Sequence, residues 1–386
     1  MDFFKLFYVE NRVILLIVAA WLIDLVIGTP RLLPQPFRFI RLLSKFTTER
    51  LLTLCGRFTK SKPQNKERYE RRAGTAATLY IVLFSFIFTA VLLDCANTIH
   101  PALNYLLTIY FLYTTLSNRK LANEAYAISS LLRNGSLPQA RRRLDTLSPI
   151  PNNPSLQERA TPSSTSEITV VRTAVGIIAE RTIDSVIAPL FYILAGALLG
   201  LPAPLAVAFT AVCVLGTPTA PSATIGTKAE TTSPHSRTTI EPAFQDNSAT
   251  TGSAFHNNAP SAFNRFGVRL YYAANYIPAR ICGILLPFAA LLCAQDSRRS
   301  LWTFRRDRQN LMDLNSAQSI SAFAGALRLQ LGGDSYESDL LTTKPTVGDD
   351  IKEPEPDDIK AAIKLMVAAS AIFVLFMGIL LFQFHK

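Results

Sequence analysis

Charged residues are scarce in this chain. Asp, Glu, Lys and Arg make up 17% of the 386 residues, whereas about 25% is usual for a soluble domain. This shortfall excludes an ordinary water-facing surface over the whole chain. It indicates instead a surface that faces lipid, because 49% of the residues are hydrophobic and they cluster in runs.

Paired metal-ligand and redox motifs are also missing. The five cysteines and four histidines form no CxxC, HExxH or comparable spacing, so no structural metal and no disulfide framework are indicated. The sequence contains neither a GxxxxGK[ST] phosphate loop nor a GxGxxG motif after a strand. The nucleotide-binding folds that carry those loops are therefore excluded.

What the sequence does contain is a set of six apolar runs. They are Val13–Ile27 (interrupted by Asp24), Ala76–Leu93, Pro101–Leu116, Val186–Leu215, Ile281–Ala294 and Leu365–Phe384. A helix needs roughly 20 residues to cross a bilayer, so four runs are crossings or nearly so and two stay open. No small-residue cleavage site follows the first run, which we expect to be a retained helix. We predict an all-α, polytopic integral membrane protein with about five or six transmembrane helices.

Low-complexity sequence divides the chain. Thr217–Pro260 is rich in Ser, Thr, Ala and Pro and poor in large apolar residues, so it cannot bury enough surface to offset its ordering entropy. We therefore predict an N-terminal membrane part (1–216) with basic cytoplasmic loops, a linker (217–260) and a C-terminal membrane part (261–386).

The formal net charge of +11 does not indicate nucleic-acid binding, because the basic residues flank the apolar runs. Arg31–Arg72 and Arg119–Arg172 are predicted to face the cytoplasm and Asp94–His100 the outside. We accordingly expect a multi-pass protein of the cell inner (plasma) membrane. Whether the basic flank Arg298–Arg308 lies outside, or inside because Ile281–Ala294 is re-entrant, stays open at this stage.

Six polar blocks lie beside the apolar runs. They are Trp21–Pro30 followed by Pro34-Gln35-Pro36, Thr114–Leu121 with Ala140-Arg141, Glu180–Phe191, Ala274–Arg280, Arg306–Gly333, and Lys344–Asp349. In this order they resemble the motifs of the adenosylcobinamide-phosphate synthase family of cobalamin biosynthesis. The likeness covers nearly the whole chain, and Ala274–Arg280 matches the family pattern almost without change.

The chain departs from the family pattern mainly at polar positions. Thr29 stands for an Asp, Tyr271 and Tyr272 for a pair of Asp, Leu311 for a His and Ile320 for a Glu. The family's Gly-Arg-Asp-Thr and Asn-Thr-Leu-Asp-Ser segments are likewise replaced, near Ser148 and Cys213. These replacements affect the expected catalytic activity more than they affect the resemblance to the family.

The resemblance implies an activity and its substrates. The family joins aminopropanol phosphate to adenosylcobyric acid by an amide bond, using ATP with Mg²⁺, to give adenosylcobinamide phosphate. The corrinoid, the amine, the lipid bilayer and other cobalamin-assembly membrane proteins are then the expected partners. Glu180, Asp184 and Asp307 are the candidate catalytic residues, and no metal ligand is assigned. The candidate substrate-binding residues are Asp24, Arg119, Arg141, Asn275, Arg280, Arg306 and Asn315.

Two other functions remain as alternatives. A catalytically silent membrane paralogue with a regulatory or scaffolding role fits the lost Asp residues. A small transporter has less support, because the sequence shows no paired, interrupted helices of the kind found in inverted repeats.

Overall fold

The described residues are almost wholly helical, as the sequence predicts. The computed structural model describes residues 12–28, 35–59, 66–147, 166–216, 262–311, 313–337 and 340–384. A π-helix, Ile183–Ile187, joins the α-helix that ends at Thr182 to the one that begins at Ala188. The α-helices are α1 (Arg12–Ile27), α2 (Pro36–Thr59), α3 (Lys66–Ile99), α4 (Pro101–Thr115), α5 (Asn118–Arg133), α6 (Leu137–Leu147), α7 (Glu167–Thr182), α8 (Ala188–Leu198), α9 (Pro202–Gly216), α10 (Arg265–Ala274), α11 (Tyr276–Leu292), α12 (Ser297–Asp307), α13 (Leu314–Leu327) and α14 (Pro356–Phe384).

Among the described residues, three helical units are long and apolar enough to cross a membrane. These are α3, the unit Arg265–Leu292 formed by α10 and α11, and α14. They suggest a membrane protein, but the predicted five or six crossings are not confirmed. The reason is length: α1 has 16 residues and α4 has 15, or about 24 Å and 23 Å, against a core of about 30 Å.

Two helical hairpins are present in the described residues. The α3–α4 hairpin turns at the single residue His100, whose ring nitrogen accepts a hydrogen bond from the amide of Ala102 at 3.1 Å. The apolar run 186–215 is divided into α8 and α9 by a turn in which the amide of Leu201 donates to the carbonyl of Gly196 at 2.7 Å. A Cβ on Gly196 would lie 2.6 Å from the carbonyl oxygen of Leu201, so this turn needs glycine.

Side-chain contacts fix the relative directions of the long helices. Arg12 bonds Tyr105 and Tyr113 bonds the carbonyl of Gly28, so α4 runs parallel to α1. Trp21 donates to Ser370 at 3.2 Å, and Gly378 lies beside Ile14, so α14 runs antiparallel to α1.

Because α3 and α4 form a hairpin, α3 and α14 run in the same direction. Both begin on the side of the bundle where α1 and α4 end. We call this side the basic face, since Arg68, Arg71 and Arg72 lie at the start of α3. The opposite side carries His100 and the end of α14.

Helix α13 forms the centre of the C-terminal part. Nearly every residue from Asn315 to Leu327 is buried, and most are Ala, Ser or Gly, which lets neighbouring helices approach closely. The hydroxyl of Ser300 on α12 donates to the carbonyl of Ala322 at 2.9 Å. A Cβ on Gly325 would meet the carbonyl of Arg299 at 2.4 Å. Helix α13 also packs against α7 and α11.

A small β-hairpin follows α13 and is not predicted from the sequence. Strands β1 (Leu331–Glu337) and β2 (Leu340–Val347) pair antiparallel, with Leu331 opposite Val347. The pair Gly332-Gly333 is typical of a turn, yet both residues lie in β1, directly after its first residue, Leu331. Gly332 has φ +81 and lies at a register shift, a bulge that only glycine adopts readily. The predicted linker 217–260 lies outside the described residues.

Candidate active site

Glu180 and Asp184 lie at the junction between α7 and the π-helix. Ser166 caps α7 by accepting from the amide of Thr169 at 3.3 Å, and Pro189 at the start of α8 has no amide proton to donate. The wide π turn lies immediately before that proline, with the amide of Ala188 bonded to the carbonyl of Ile183. Such turns occur often at functional sites. Here the turn directs Asp184 towards α10.

Tyr271 on α10 contacts Asp184 directly. The phenol of Tyr271 donates a hydrogen bond to Oδ2 of Asp184. The adjacent Tyr272 is half-buried, and its carbonyl accepts from Nδ2 of Asn315 at 2.9 Å. Tyr271 and Tyr272, which stand where the family has a pair of Asp, therefore lie near Asp184.

A third carboxylate, Asp313, was missed by the sequence reasoning. It caps α13, accepting from the amide of Asn315 at 3.0 Å and from the hydroxyl of Ser316 at 2.6 Å. Its charge acts on both Glu180 and Asp184. The signal available in the sequence was an Asp just before a helical stretch, which is a typical N-cap. We call Glu180, Asp184 and Asp313 the acidic cluster.

Burial makes Glu180 and Asp184 hard to ionise. It raises the pKa of Glu180 to about 7, with the charges of Asp184 and Asp313 adding to the effect. It raises the pKa of Asp184 to about 6, opposed by the hydrogen bond from Tyr271 and by the charge of Arg181. Carboxyl groups with pKa values near neutrality can accept and donate protons at physiological pH.

Asn275 lies between α10 and α11 and is only 1% exposed. Within the described part of the chain, neither Oδ1 nor Nδ2 of its side chain has a hydrogen-bond partner. Buried amides are normally satisfied, so an orphaned one needs an explanation. Asn275 follows Tyr271 by four residues and therefore shares its helical face. That face is the one directed at Asp184.

Arg280 lies one turn further along α11. Its guanidinium stacks on the ring of Tyr276, 3.3 Å from the centroid, and donates to the carbonyl of Tyr276 at 2.7 Å. No carboxylate pairs with Arg280 among the residues that the structure describes. Arg141 lies on α6 and is buried.

Asp307 and Arg306 form a separate, closed network at the end of α12. Asp307 is 3% exposed and accepts two bonds from Arg306, at 2.6 and 2.8 Å, one from Asn310 at 3.3 Å and one from the amide of Gly348 at 2.9 Å. Arg306 also bonds Asp349 at 2.9 Å and stacks on Trp302. Burial opposes ionisation of Asp307, but these donors lower its pKa overall. This geometry favours a positioning role, fixing the segment after β2 to α12.

Asp24 joins the first and second motif blocks. Its side chain is fully buried and accepts from the amide and the Nδ2 of Asn118, both at 2.9 Å. Asp24 thus caps the N-terminus of α5, where a negative charge is favourable. Gly28 has φ +69, and a Cβ there would lie 2.8 Å from Cγ of Arg119. The block therefore holds the start of α5 and the side chain of Arg119 in place, and Asp24 does not reach an open surface.

The resemblance implies Mg²⁺ bound with ATP, and carboxylate side chains are the protein ligands that this ion prefers. In the described ranges, no group of three or more His, Cys, Asp and Glu residues is arranged so that it could hold a metal ion. Mg²⁺ bound with a nucleotide needs only one or two protein carboxylates. We treat Mg²⁺–ATP as a co-substrate and assign it no ligand.

Comparison with known proteins identifies the family. The family model described as CobD/Cbib protein matches residues 17–217 and 253–366. "Cobalamin biosynthesis protein CobD" of Klebsiella pneumoniae is 30% identical over 361 residues, covering 93% of this chain and 95% of that protein. The protein of the same name in Citrobacter koseri is 31% identical over 353 residues, covering 92% of each.

A third relative, "Cobalamin biosynthesis protein CbiB" of Salmonella typhimurium, is 29% identical over 353 residues, again covering 92% of each protein. No solved structure matches. With a family match over most of its length and relatives that span nearly the whole chain, this protein belongs to the CobD/CbiB family and has a role in cobalamin biosynthesis.

Proposed function

We propose that the chain catalyses the ATP-dependent joining of aminopropanol phosphate to adenosylcobyric acid at the acidic cluster. This cluster lies at the basic face, because the amide of Ser117, just after the end of α4, donates to the carbonyl of Ser185 at 3.2 Å. The observation that carries this proposal is Asn275, whose buried amide has no partner in the described residues and shares a face with Tyr271. An unsatisfied amide beside half-buried carboxylates is suited to a polar ligand that completes its hydrogen bonds.

The chemistry assigns roles to the acidic cluster. A phosphoryl group passes from ATP to the corrinoid carboxylate, releasing ADP and giving an acyl phosphate. The amine nitrogen then attacks the acyl carbon, the new C–N bond forms as the C–O bond to phosphate breaks, and phosphate leaves with the bonding electrons. The ammonium group gives one proton to a base before attack and the second goes to the departing phosphate, and Glu180 is the proposed base because its pKa of about 7 matches neutral pH.

Asp184 and Asp313 are proposed to hold the ammonium form of the amine before attack. The one described cation beside the cluster is Arg181, whose Nη2 donates to the carbonyl of Leu147 at 3.3 Å. The cluster therefore carries more negative than positive charge. Asn315 is bonded to the carbonyl of Tyr272, so its proposed role is to position α10 against α13.

Three arginines are proposed to bind the phosphate groups of the substrates. Arg280 is paired with no carboxylate among the described residues, and a guanidinium binds phosphate with two parallel hydrogen bonds. Arg119 and Arg141 are further candidates for the nucleotide or the aminopropanol phosphate. Arg306 is already bonded to Asp307 and Asp349, and we propose that it positions rather than binds. The inner membrane is the proposed location, with other cobalamin-assembly membrane proteins as proposed neighbours.

One specific contact favours the silent-paralogue alternative. Tyr271 stands where the family has an Asp, and its phenol already donates to Asp184. In a silent paralogue this bond would keep the cluster closed, and neither substrate would displace it.

Complementation separates the two functions. A cobalamin auxotroph that lacks its synthase receives the gene for the wild-type protein, for Glu180→Gln or for the control Glu49→Gln, an exposed residue on α2 whose partner is Lys45. Growth with the wild type and the control, but not with Glu180→Gln, is the expected result. If the wild type neither restores growth nor binds Mg²⁺–ATP or adenosylcobyric acid in calorimetry, the silent paralogue is the better account.

A further inference from the structure

The unit Arg265–Leu292 is long enough to cross a membrane. Its N-terminal end lies at the basic face. Arg265 bonds Glu67 at 2.8 Å, and Glu67 is in the first turn of α3. Phe263, just before α10, packs its carbonyl against Gly74, where a Cβ would lie only 1.8 Å away. The unit therefore begins beside the start of α3.

The other end of the unit also lies at the basic face. Asp296, four residues after α11, accepts from Arg328 at 3.1 Å. The carbonyl of Arg328 accepts from the amide of Lys352 at 3.2 Å, and the Lys352 ammonium bonds Asp358 at 2.9 Å. Asp358 is in the first turn of α14. A chain of hydrogen bonds through Arg328 and Lys352 thus links the end of α11 to the start of α14.

These two anchors are incompatible with a crossing. A helix of 28 residues is about 42 Å long, and the hydrocarbon core is about 30 Å thick. A crossing would place Asp296 near Phe384, at the far end of α14. Instead α10 packs on α3 and α9, and α11 packs on α12, α13 and α14, so the unit runs sideways across the bundle.

One face of α11 is apolar and has no partner in the described residues. Ile277, Ile284, Phe288, Leu291 and Leu292 are between 54% and 70% exposed. Their spacing places them on one side of the helix. The opposite side is buried against the bundle, and no charge occurs between Ile281 and Leu292.

We propose that Arg265–Leu292 does not span the membrane but lies in the plane of the leaflet at the basic face. Its exposed apolar side enters the acyl chains of that leaflet, and Arg280 with Tyr276 lies at the level of the lipid headgroups. A helix with one apolar side and flanking basic and aromatic residues has this disposition at a membrane surface. The basic flank Arg298–Arg308 is then on the same side of the membrane as the start of α3.

The first test measures sidedness. Single cysteines at Asn264→Cys, Arg298→Cys and the reference Asn97→Cys are introduced into a chain whose five native cysteines are replaced by alanine, and intact and inverted vesicles are treated with an impermeant maleimide. Positions 264 and 298 should react from the same side, and position 97 from the other. Labelling of 298 from the side of 97, or from neither side while the denatured protein reacts, would overturn the proposal.

The second test measures depth. A spin label at Phe288→Cys should be relaxed by paramagnetic lipids labelled near the headgroup and little by a water-soluble nickel chelate. The control Leu286→Cys, on the buried side, should respond to neither. If Phe288→Cys responds mainly to the nickel chelate, or to neither agent because a second copy of the chain covers it, the leaflet is not its environment.

Discussion

Replacing Glu180 by Gln should make the protein more stable at neutral pH while abolishing its proposed activity. Glu180 is half-buried, and burial raises the pKa of its carboxyl group from 4.5 to about 7, with Asp184 and Asp313 adding to the effect. A carboxyl group with a higher pKa in the folded state binds its proton more tightly there than in the unfolded state. The free energy of unfolding should therefore fall as the pH rises through this interval.

The magnitude follows from the pKa change. A change of one in pKa corresponds to about 1.4 kcal/mol, so the rise from 4.5 to about 7 sets an upper limit of about 3 kcal/mol. Solvent screening of a half-buried group reduces this, and we expect about 1–2 kcal/mol. Gln keeps the shape of Glu180 but never ionises. The variant should equal the wild type near pH 4 and exceed its stability by this amount near pH 8.

The assay is thermal unfolding of detergent-solubilised protein at a fixed scan rate, repeated across that pH range. The unfolding midpoint of Glu180→Gln should lie about 2 °C above that of the wild type at pH 8. The stability of Glu180→Gln should still depend partly on pH, because Asp184 also has a raised pKa, of about 6. The exposed control Glu49→Gln should follow the wild type at every pH.

Two outcomes would refute this reasoning. If Glu180→Gln keeps the full pH dependence of the wild type, Glu180 is not the group that resists ionisation. If the variant is less stable at every pH, the carboxylate is charged in the folded protein and held by a partner.

The remaining predictions concern three other positions. Asp307→Asn should lower the free energy of unfolding by about 1–2 kcal/mol, because it weakens the hydrogen bonds that the buried carboxylate accepts from Arg306, whose own side chain is 36% exposed; unfolding midpoints equal to those of the wild type would contradict this. Arg280→Lys keeps the charge but removes the fork of donors, so calorimetry should show lost binding of Mg²⁺–ATP or adenosylcobyric acid with an unchanged unfolding midpoint; equal binding would remove Arg280 from the site. A cysteine at Asn97 should react with impermeant reagents only from outside the cell, and modification from the cytoplasmic side would invert the predicted topology.

The local features of this chain could be predicted from its sequence. The α3–α4 hairpin follows from two uncharged runs with a short polar connector, and the end of α5 follows from Asn134-Gly135, where Gly135 adopts φ +71. Residues within one motif block also stay together, as Glu180 and Asp184 do. Periodicity and turn chemistry act over a few residues, and a single sequence displays them directly.

The relations between distant segments could not be predicted. Asp24 and Asn118 are 94 residues apart, and nothing in either segment shows that one carboxylate closes the other helix. Asp313 has no motif of its own and joins the cluster only because α13 packs against α7. The count of crossings is not confirmed for a related reason: hydrophobicity cannot separate a helix that spans lipid from one packed inside the bundle or along its surface.

The contact between Tyr271 and Asp184 decides how the lost Asp pair should be interpreted. Glu180, Asp184 and Asp313 already place three carboxyl groups beside the single described cation Arg181, and two of them resist ionisation. Two further carboxylates at 271 and 272 would add repulsion, whereas a phenol donates a hydrogen bond to Asp184 and lowers the cost of its charge. We therefore propose that the tyrosines limit repulsion in the cluster while it still binds an ammonium group. If that is their role, Tyr271→Phe should weaken binding of the amine without disturbing the corrinoid, whereas in a silent paralogue the same change would alter stability alone.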